Sequence, residues 1–382
     1  MGDGVVKVCV VQWGQSGAGP LFALELATAI EQSGHEILFS HSTRSESVAA
    51  VRARFESRDE IRTYRSRLGA ILGLPRLVFH SMKLRRRLAR ENVDLVVIAM
   101  EHLWSSAISP ILRSRRRPTI LIVHDAEMHP GDYNRIEDRS RVFGRRFADG
   151  CVTLSPSVTS RIVELRQFGQ AQTVTSIHPA FSAEVRPRPH NDPPIIGFFG
   201  RISEYKGVKR GKEAVDILRE RGYRLVYRVV GNGDATQVSE MSHPDDQVVL
   251  GWIPDSAVHD SISEFDVLLL PYIEASQSGV LAQAMSLGVP TVATPVGGLR
   301  EQALKSRVAV VAESTSSEDI ADALEMVLND PELQQTLHAG GIATARSEYS
   351  WNRLAGDVIA FGADSDKSRT GAQRKFTSNA TQ

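Results

Sequence analysis

Two short runs of β-branched and leucine residues, 267–270 and 291–294, stand on either side of a segment with helical spacing. Its apolar positions are Val280, Leu281, Ala284, Met285 and Leu287. Pro271 closes the first run, and Gly288-Val289-Pro290 stops the helix. Strand, helix and strand in so short a span specify a parallel pair joined by a helical crossover. Units of this kind build open sheets whose ligand crevice lies beyond the carboxyl ends of the strands. Ser276, Gln277, Ser278 and Gly279 occupy that end, where the helix begins with Val280. Free backbone N–H groups and the helix dipole at such a start favour an anion such as a diphosphate. Gly279 permits close backbone approach, and the flanking hydroxyls add hydrogen bonds.

The same alternation runs through the rest of the chain. Apolar strands are expected at 5–11, 37–40, 93–100, 119–123, 149–155, 195–199, 227–230, 248–253 and 266–270. With 382 residues the chain suits two domains. The fold class is therefore α/β, with two Rossmann-like domains of parallel strands. A proline-rich run, 186–194, reads as the linker. The expected division is 1–185, 195–345, a terminal helix over 346–363 and a polar, aperiodic tail over 364–382, expected to be disordered.

Several strand exits carry chemistry-bearing residues. The first strand leads into Trp13-Gly14-Gln15-Ser16-Gly17-Ala18-Gly19 and a helix over 21–32. This loop lacks the full dinucleotide spacing, and no Gly-Lys-Ser/Thr follows, so it is no Walker loop. The strand 119–123 runs into His124-Asp125-Ala126-Glu127-Met128-His129-Pro130-Gly131-Asp132. A titratable cluster is well placed there for ligand contact. Zinc bound by His124, Asp125 and His129 is disfavoured for want of further ligands. The strand 195–199 runs into Gly200-Arg201-Ile202-Ser203-Glu204-Tyr205-Lys206-Gly207. Arg201 offers a fork that matches phosphate, and Lys206 a mobile point charge.

Taken together, the strings ASQSGV, GVPTVAT, VGGLRE and GRISEYKG resemble glycosyltransferase family 4, the retaining GT-B transferases that use nucleotide sugars. The resemblance implies two domains facing across a cleft. It also implies transfer of a hexosyl group from a nucleoside-diphosphate sugar to an acceptor hydroxyl. On that resemblance Arg201 and Lys206 stabilise the leaving diphosphate, and Ser276, Gln277, Ser278, Gly279 and Val280 hold the donor. His124 reaches the donor sugar, and His129 and Asp132 orient the sugar or the acceptor. Gly17 faces the donor phosphates, and Gly251, Trp252 and Ile253 cradle the base. The sequence departs from the family in one respect. The usual pair of glutamates separated by seven residues falls on Ala275 and Gln283, with Glu274 one place off. Gln283 can still bind a ribose diol without charge. IHPAF, residues 177–181, replaces the usual Asn-Gly turn. No D-x-D metal site is convincing, so neither metal nor other cofactor is expected.

Two other classes fit parts of the pattern. A sugar-nucleotide epimerase shares the architecture, and a non-catalytic relative would explain the missing glutamates. Lys+Arg and Asp+Glu are both 45, so bulk charge selects no partner. Locally the balance is different. Residues 62–117 are rich in arginine, interleaved up to 79 with Leu68, Ile71, Leu72, Leu74, Leu77, Val78 and Phe79. A basic amphipathic face fits an anionic membrane surface, and equally a solvated helix packed on the sheet. Nucleic acid is disfavoured, because no aromatic stacking set accompanies the charge. Cys9 and Cys151 lie in apolar runs and are expected to be buried thiols. With no signal-like opening and no long apolar run, the chain reads as cytoplasmic, or peripheral at the inner face of a membrane. The acceptor expected is a polysaccharide or lipid-linked glycan.

Overall fold

The computed structural model describes residues 4–378, apart from 115, 129–133, 170, 171, 182, 185, 186 and 240. The side chains of 67, 255 and 366–378 are not described. Contacts divide the described residues into two units, one formed by 4–177 with 351–378, the other by 178–350.

The first unit alternates strand and helix: β1 (Lys7–Gln12), α1 (Ala18–Gln32), β2 (Glu36–Ser42), α2 (Val48–Arg54) and β3 (Arg58–Ile61). It continues through α3 (Arg67–Leu72), α4 (Leu74–Arg90), β4 (Leu95–Ile98), α5 (Leu103–Ala107), α6 (Ser109–Leu112) and β5 (Thr119–Val123). Then come α7 (Arg135–Arg145), β6 (Gly150–Thr153), α8 (Pro156–Glu164) and β7 (Thr173–Thr175). The seven strands are all parallel, in the order β3-β2-β1-β4-β5-β6-β7. Residues 8–11 of β1 sit between β2 and β4 and are fully buried, because helices cover both faces.

The second unit contains β8 (Ile195–Phe199), α9 (Val208–Glu220), β9 (Val226–Gly231), β10 (Asp246–Leu250), α10 (Asp255–Ser263) and β11 (Val267–Leu270). It ends with α11 (Gly279–Leu287), β12 (Thr291–Ala293), α12 (Gly297–Ser306), β13 (Ala309–Val311), α13 (Ser317–Asn329) and α14 (Pro331–Ser347). Its strand order is β10-β9-β8-β11-β12-β13, again parallel throughout. In each sheet the chain works outward in one direction and then returns to build the other side. The order reverses at β1/β4 and at β8/β11, the positions where such sheets take ligands.

The last helix, α15 (Trp351–Ser378), belongs to the first unit. The Trp351 and Phe22 rings meet edge-on at 5.0 Å, and Ser176 Oγ hydrogen-bonds Asp357 at 2.6 Å. Residues 364–378 therefore continue a helix where a disordered tail was expected. The turns anchored by buried Trp351, Leu354, Ala355 and Val358 supply the nucleus, and extension from a formed helix is far easier than starting one.

Other expectations need correction. Residues 58–61 form a strand, β3, that none of the expected strands covers, and it pairs at the edge with β2. Asp59 and Ile61 are its buried positions, but with only four residues the two-residue alternation is lost among the surrounding charge. The strand expected over 248–253 stops at Leu250, where β10 ends. Both cysteines are buried thiols, and burial pushes the Cys151 thiol up to about 12.

Candidate active site

In the second unit the loops after β8 and β11 flank the reversal of strand order. After β8 the chain passes Arg201, which is exposed, and a single 3-10 turn, Glu204–Lys206. Gly207 follows with φ 67° and starts α9. A Cβ on Gly207 would lie 1.9 Å from the Pro271 carbonyl oxygen, so no side chain fits where these loops meet. Tyr205 O also accepts a hydrogen bond from Ile273 N at 2.8 Å.

This packing puts Lys206 Nζ 3.6 Å from the ring centroid of Tyr272, which is fully buried. The negative face of an aromatic ring is a favourable resting place for an ammonium group. Tyr272 Oη lies 3.4 Å from Ser278 Oγ, so one ring connects the cation to the start of α11. Ser278 is the N-cap, and its Oγ accepts from Leu281 N at 3.2 Å. Gln302, on α12, holds the main chain of Ser278 at both ends. Its Oε1 accepts from Ser278 N at 2.8 Å, and its Nε2 donates to Ser278 O at 3.0 Å. Neither half of this clamp is visible in the periodicity of α12.

Gln283 is buried and pairs with His259 at 2.6 Å. Glu274 is exposed, beside buried Ala275. Gly251 follows β10 and donates to Gly231 O at 2.9 Å; Trp252 is half-exposed and Ile253 partly buried. His178, which sequence reasoning passed over, approaches the other side of the α11 start. Its Nε2 would stand 3.7 Å from a Cβ on Gly279, and its Nδ1 lies 3.1 Å from Pro179 O. The only signal for it was the unusual IHPAF string in place of an Asn-Gly turn.

In the first unit Gly17 is the N-cap of α1, without a side-chain cap. His124 follows β5. Its Nε2 is 3.1 Å from Ala99 O, and its ring meets Phe22 edge-on at 4.5 Å. A carbonyl only accepts, so Nε2 carries the proton and Nδ1 presents a lone pair. Burial lowers the His124 pKa, which keeps the ring neutral at pH 7. His129 and Asp132 lie outside the described residues.

The main chain beyond His124 is held by a buried ion pair. Arg145 Nη2 meets Glu101 Oε2 at 2.6 Å and Asp125 O at 3.0 Å, while Arg145 Nη1 reaches Ala126 O at 2.8 Å. Arg141 adds a bond to Asp125 O at 2.8 Å. Burial opposes ionisation of Glu101, but the Arg145 and Arg141 guanidiniums win and hold its pKa below the usual carboxylate value. His102 caps α5 by accepting from Trp104 N at 3.3 Å, and burial lowers its pKa to about 4. Among the described residues no group of three or more His, Cys, Asp or Glu side chains could hold a metal ion.

Residues 182–343 match the family model for glycosyl transferases group 1, and residues 21–184 match that for glycosyltransferase family 4. The chain is 27% identical over 333 residues to 2-deoxystreptamine glucosyltransferase of Streptomyces kanamyceticus, covering 78% of this chain and 84% of that one. It is 24% identical to D-inositol 3-phosphate glycosyltransferase of Pseudarthrobacter chlorophenolicus, covering 90% and 89%. The crystal structure of Anabaena HepE in complex with UDP and glucose superposes with a TM-score of 0.70 at 15% identity, over 93% of this chain and 99% of that one. That likeness identifies the fold as GT-B.

Proposed function

The chain belongs to the group 1, family 4 glycosyltransferases, and from that premise we propose that it moves a hexosyl group from a nucleoside-diphosphate sugar to a hydroxyl of a polysaccharide or lipid-linked glycan. The observation that carries the reading is the start of α11, clamped by Gln302, with Lys206 one aromatic ring away.

A glycosidic bond to a diphosphate breaks with negative charge growing on the leaving phosphate. Groups already aimed at that charge lower the barrier, because they need not reorganise as it develops. In this reading Ser276, Gln277, Ser278, Gly279 and Val280 offer the helix start to the diphosphate. Lys206 moves from the Tyr272 ring to a phosphate oxygen, and Arg201 grips a second oxygen with its fork. Gln283, Glu274, Gly251, Trp252 and Ile253 serve the nucleoside and the sugar, with Gly17 on the phosphate side. Neutral His124 accepts a hydrogen bond from a sugar hydroxyl through Nδ1. The acceptor attacks on the face that the diphosphate leaves, and the departing phosphate takes the acceptor proton, so configuration is retained. His129 and Asp132 are assigned to orienting the acceptor.

The names of the two relatives, which carry 2-deoxystreptamine and D-inositol 3-phosphate, favour a second reading for the acceptor: a small molecule in place of a glycan. The deciding experiment is a thermal melt with UDP-, GDP-, ADP- and dTDP-sugars, on the wild type and on an Arg201→Ala/Lys206→Ala variant. A ligand at about 100 times its Kd stabilises by roughly 2.7 kcal/mol. One base that stabilises the wild type and not the variant supports the reading. Stabilisation by none would move the non-catalytic reading to the front. Conversion of the donor without any acceptor would favour an epimerase.

A further inference from the structure

The helices α3 and α4 carry an exposed apolar surface. Helix α4 already buries one stripe, Leu77, Ser81, Leu84 and Leu88, against its own unit. Phe79, Met82 and Arg86 follow helical spacing on the opposite side. Phe79 is 72% exposed, and on α3 Leu68, Ile71 and Leu72 are 65%, 64% and 72% exposed. Of the large apolar side chains that stand exposed among the described residues, seven of seventeen fall between 68 and 82. So much exposed apolar surface in one place marks an interaction site.

The charge around it has one sign. Residues 62–90 contain eight arginines and one lysine, and no aspartate or glutamate. Two of these cations are occupied elsewhere. Lys83 and Arg87 line a hollow with Glu56, Asp59 and Glu60, and Arg87 also bonds Glu91 at 2.6 Å. Arg62, Arg65, Arg76, Arg85, Arg86 and Arg90 are exposed. Arg44 stands near the first three: burial, then repulsion from Arg65, Arg62 and Arg76, lowers its pKa. A second copy of the same face would be repelled, since it brings no acid. No helix of the described residues is long and apolar enough to cross a membrane. An apolar strip carrying Phe and Leu and bordered by arginine is instead the pattern that lies in the headgroup region of a bilayer.

We propose that the exposed face of α3 and α4 docks the protein on an anionic lipid surface. Phe79, Leu72, Leu68 and Ile71 enter the boundary between headgroups and acyl chains, and the exposed arginines pair with lipid phosphates. The ligand is a lipid surface and not a sugar nucleotide, so the proposal goes beyond the transfer reading and does not depend on it.

Flotation of the full-length chain tests it, with vesicles of phosphatidylcholine alone or with about one third phosphatidylglycerol. The wild type is expected to bind the anionic vesicles at least about tenfold more tightly, and to release as salt shortens the reach of the charges. A Leu72→Ser/Phe79→Ser variant and an Arg86→Glu/Arg90→Glu variant are each expected to lose about tenfold or more, with unchanged circular dichroism. Equal binding to both vesicles, binding to neither, or full binding by both variants would overturn the proposal. So would a concentration-dependent dimer abolished by the serine variant, which would give the face to a second copy. Because the assay contains no sugar nucleotide, its failure is distinct from failure of the transfer reading, which the donor melts report on the same samples.

Discussion

The two reversal points of strand order are built by different means. At β8/β11 the construction is mostly of backbone: a helix start, glycines where loops touch, and a glutamine clamp on the main chain of Ser278. At β1/β4 the construction is by buried side chains. Glu101 and Arg145 lock the loop beyond His124, and Trp13 Nε1, Ser40, Asp59 and His80 run as a hydrogen-bonded series at 3.0, 2.9 and 2.8 Å. Backbone sites demand particular residues at adjacent positions, because only glycine or a capping hydroxyl fits. Side-chain networks are assembled from residues far apart in sequence, and each member alone looks ordinary.

The contrast predicts where damage falls. Glu101→Ala strands Arg145 as a buried, unpaired cation and should cost about 3–5 kcal/mol in denaturant unfolding. A much smaller loss would mean that water reaches the pair. In the second unit, Lys206→Ala should lower kcat by roughly 10²–10³ with only a small shift of the melt, since besides charge stabilisation it removes a contact with the Tyr272 ring. Equal losses of stability and rate there would erase the distinction between the two regions.

Acid should also act on the first unit. His102 and His124 have lowered folded-state pKa values, so below about 6.5 the unfolded chain binds protons that the native state refuses, for His102 down to about 4. Stability falls as pH drops through that window, by up to about 3 kcal/mol for His102. His102→Asn keeps an N-cap acceptor and should flatten the fall, as read from urea midpoints across pH. The depressed carboxylate of Glu101 adds its loss only at lower pH, as protons reach it below its unfolded value. Gln302→Ala leaves Ser278 N and O without their partner, and should cost about 1–3 kcal/mol along with weaker donor affinity in the melt panel. The smallest effect belongs to chelator: activity should persist without divalent metal, and complete loss would require a metal in the mechanism.

Much of the architecture was legible. The buried parallel strands show as unbroken apolar runs, and the residues after β8 and β11 show as contiguous strings because backbone geometry restricts neighbouring positions. What was missed has a common cause. β3, β7 and β13 are three or four residues long, too short for a period, and are strands only because a neighbouring strand pairs with them. Gln302 and His178 act on a helix start that lies 24 and about 100 residues away in the chain.

The sequence by itself determined the fold class, the family, and the loops where glycine and capping residues dictate the backbone. Those depend on local rules: periodicity, capping and the conformational freedom of glycine. The tertiary structure alone decided which ordinary side chains converge: Glu101 with Arg145, Gln302 with Ser278, Lys206 with Tyr272. It also decided which apolar residues of the arginine-rich segment are core and which are surface. Leu77 and Phe79 are two residues apart and equally apolar, yet one packs on the sheet side and the other faces out. Burial depends on what the rest of the chain brings against a residue, and no local pattern contains that.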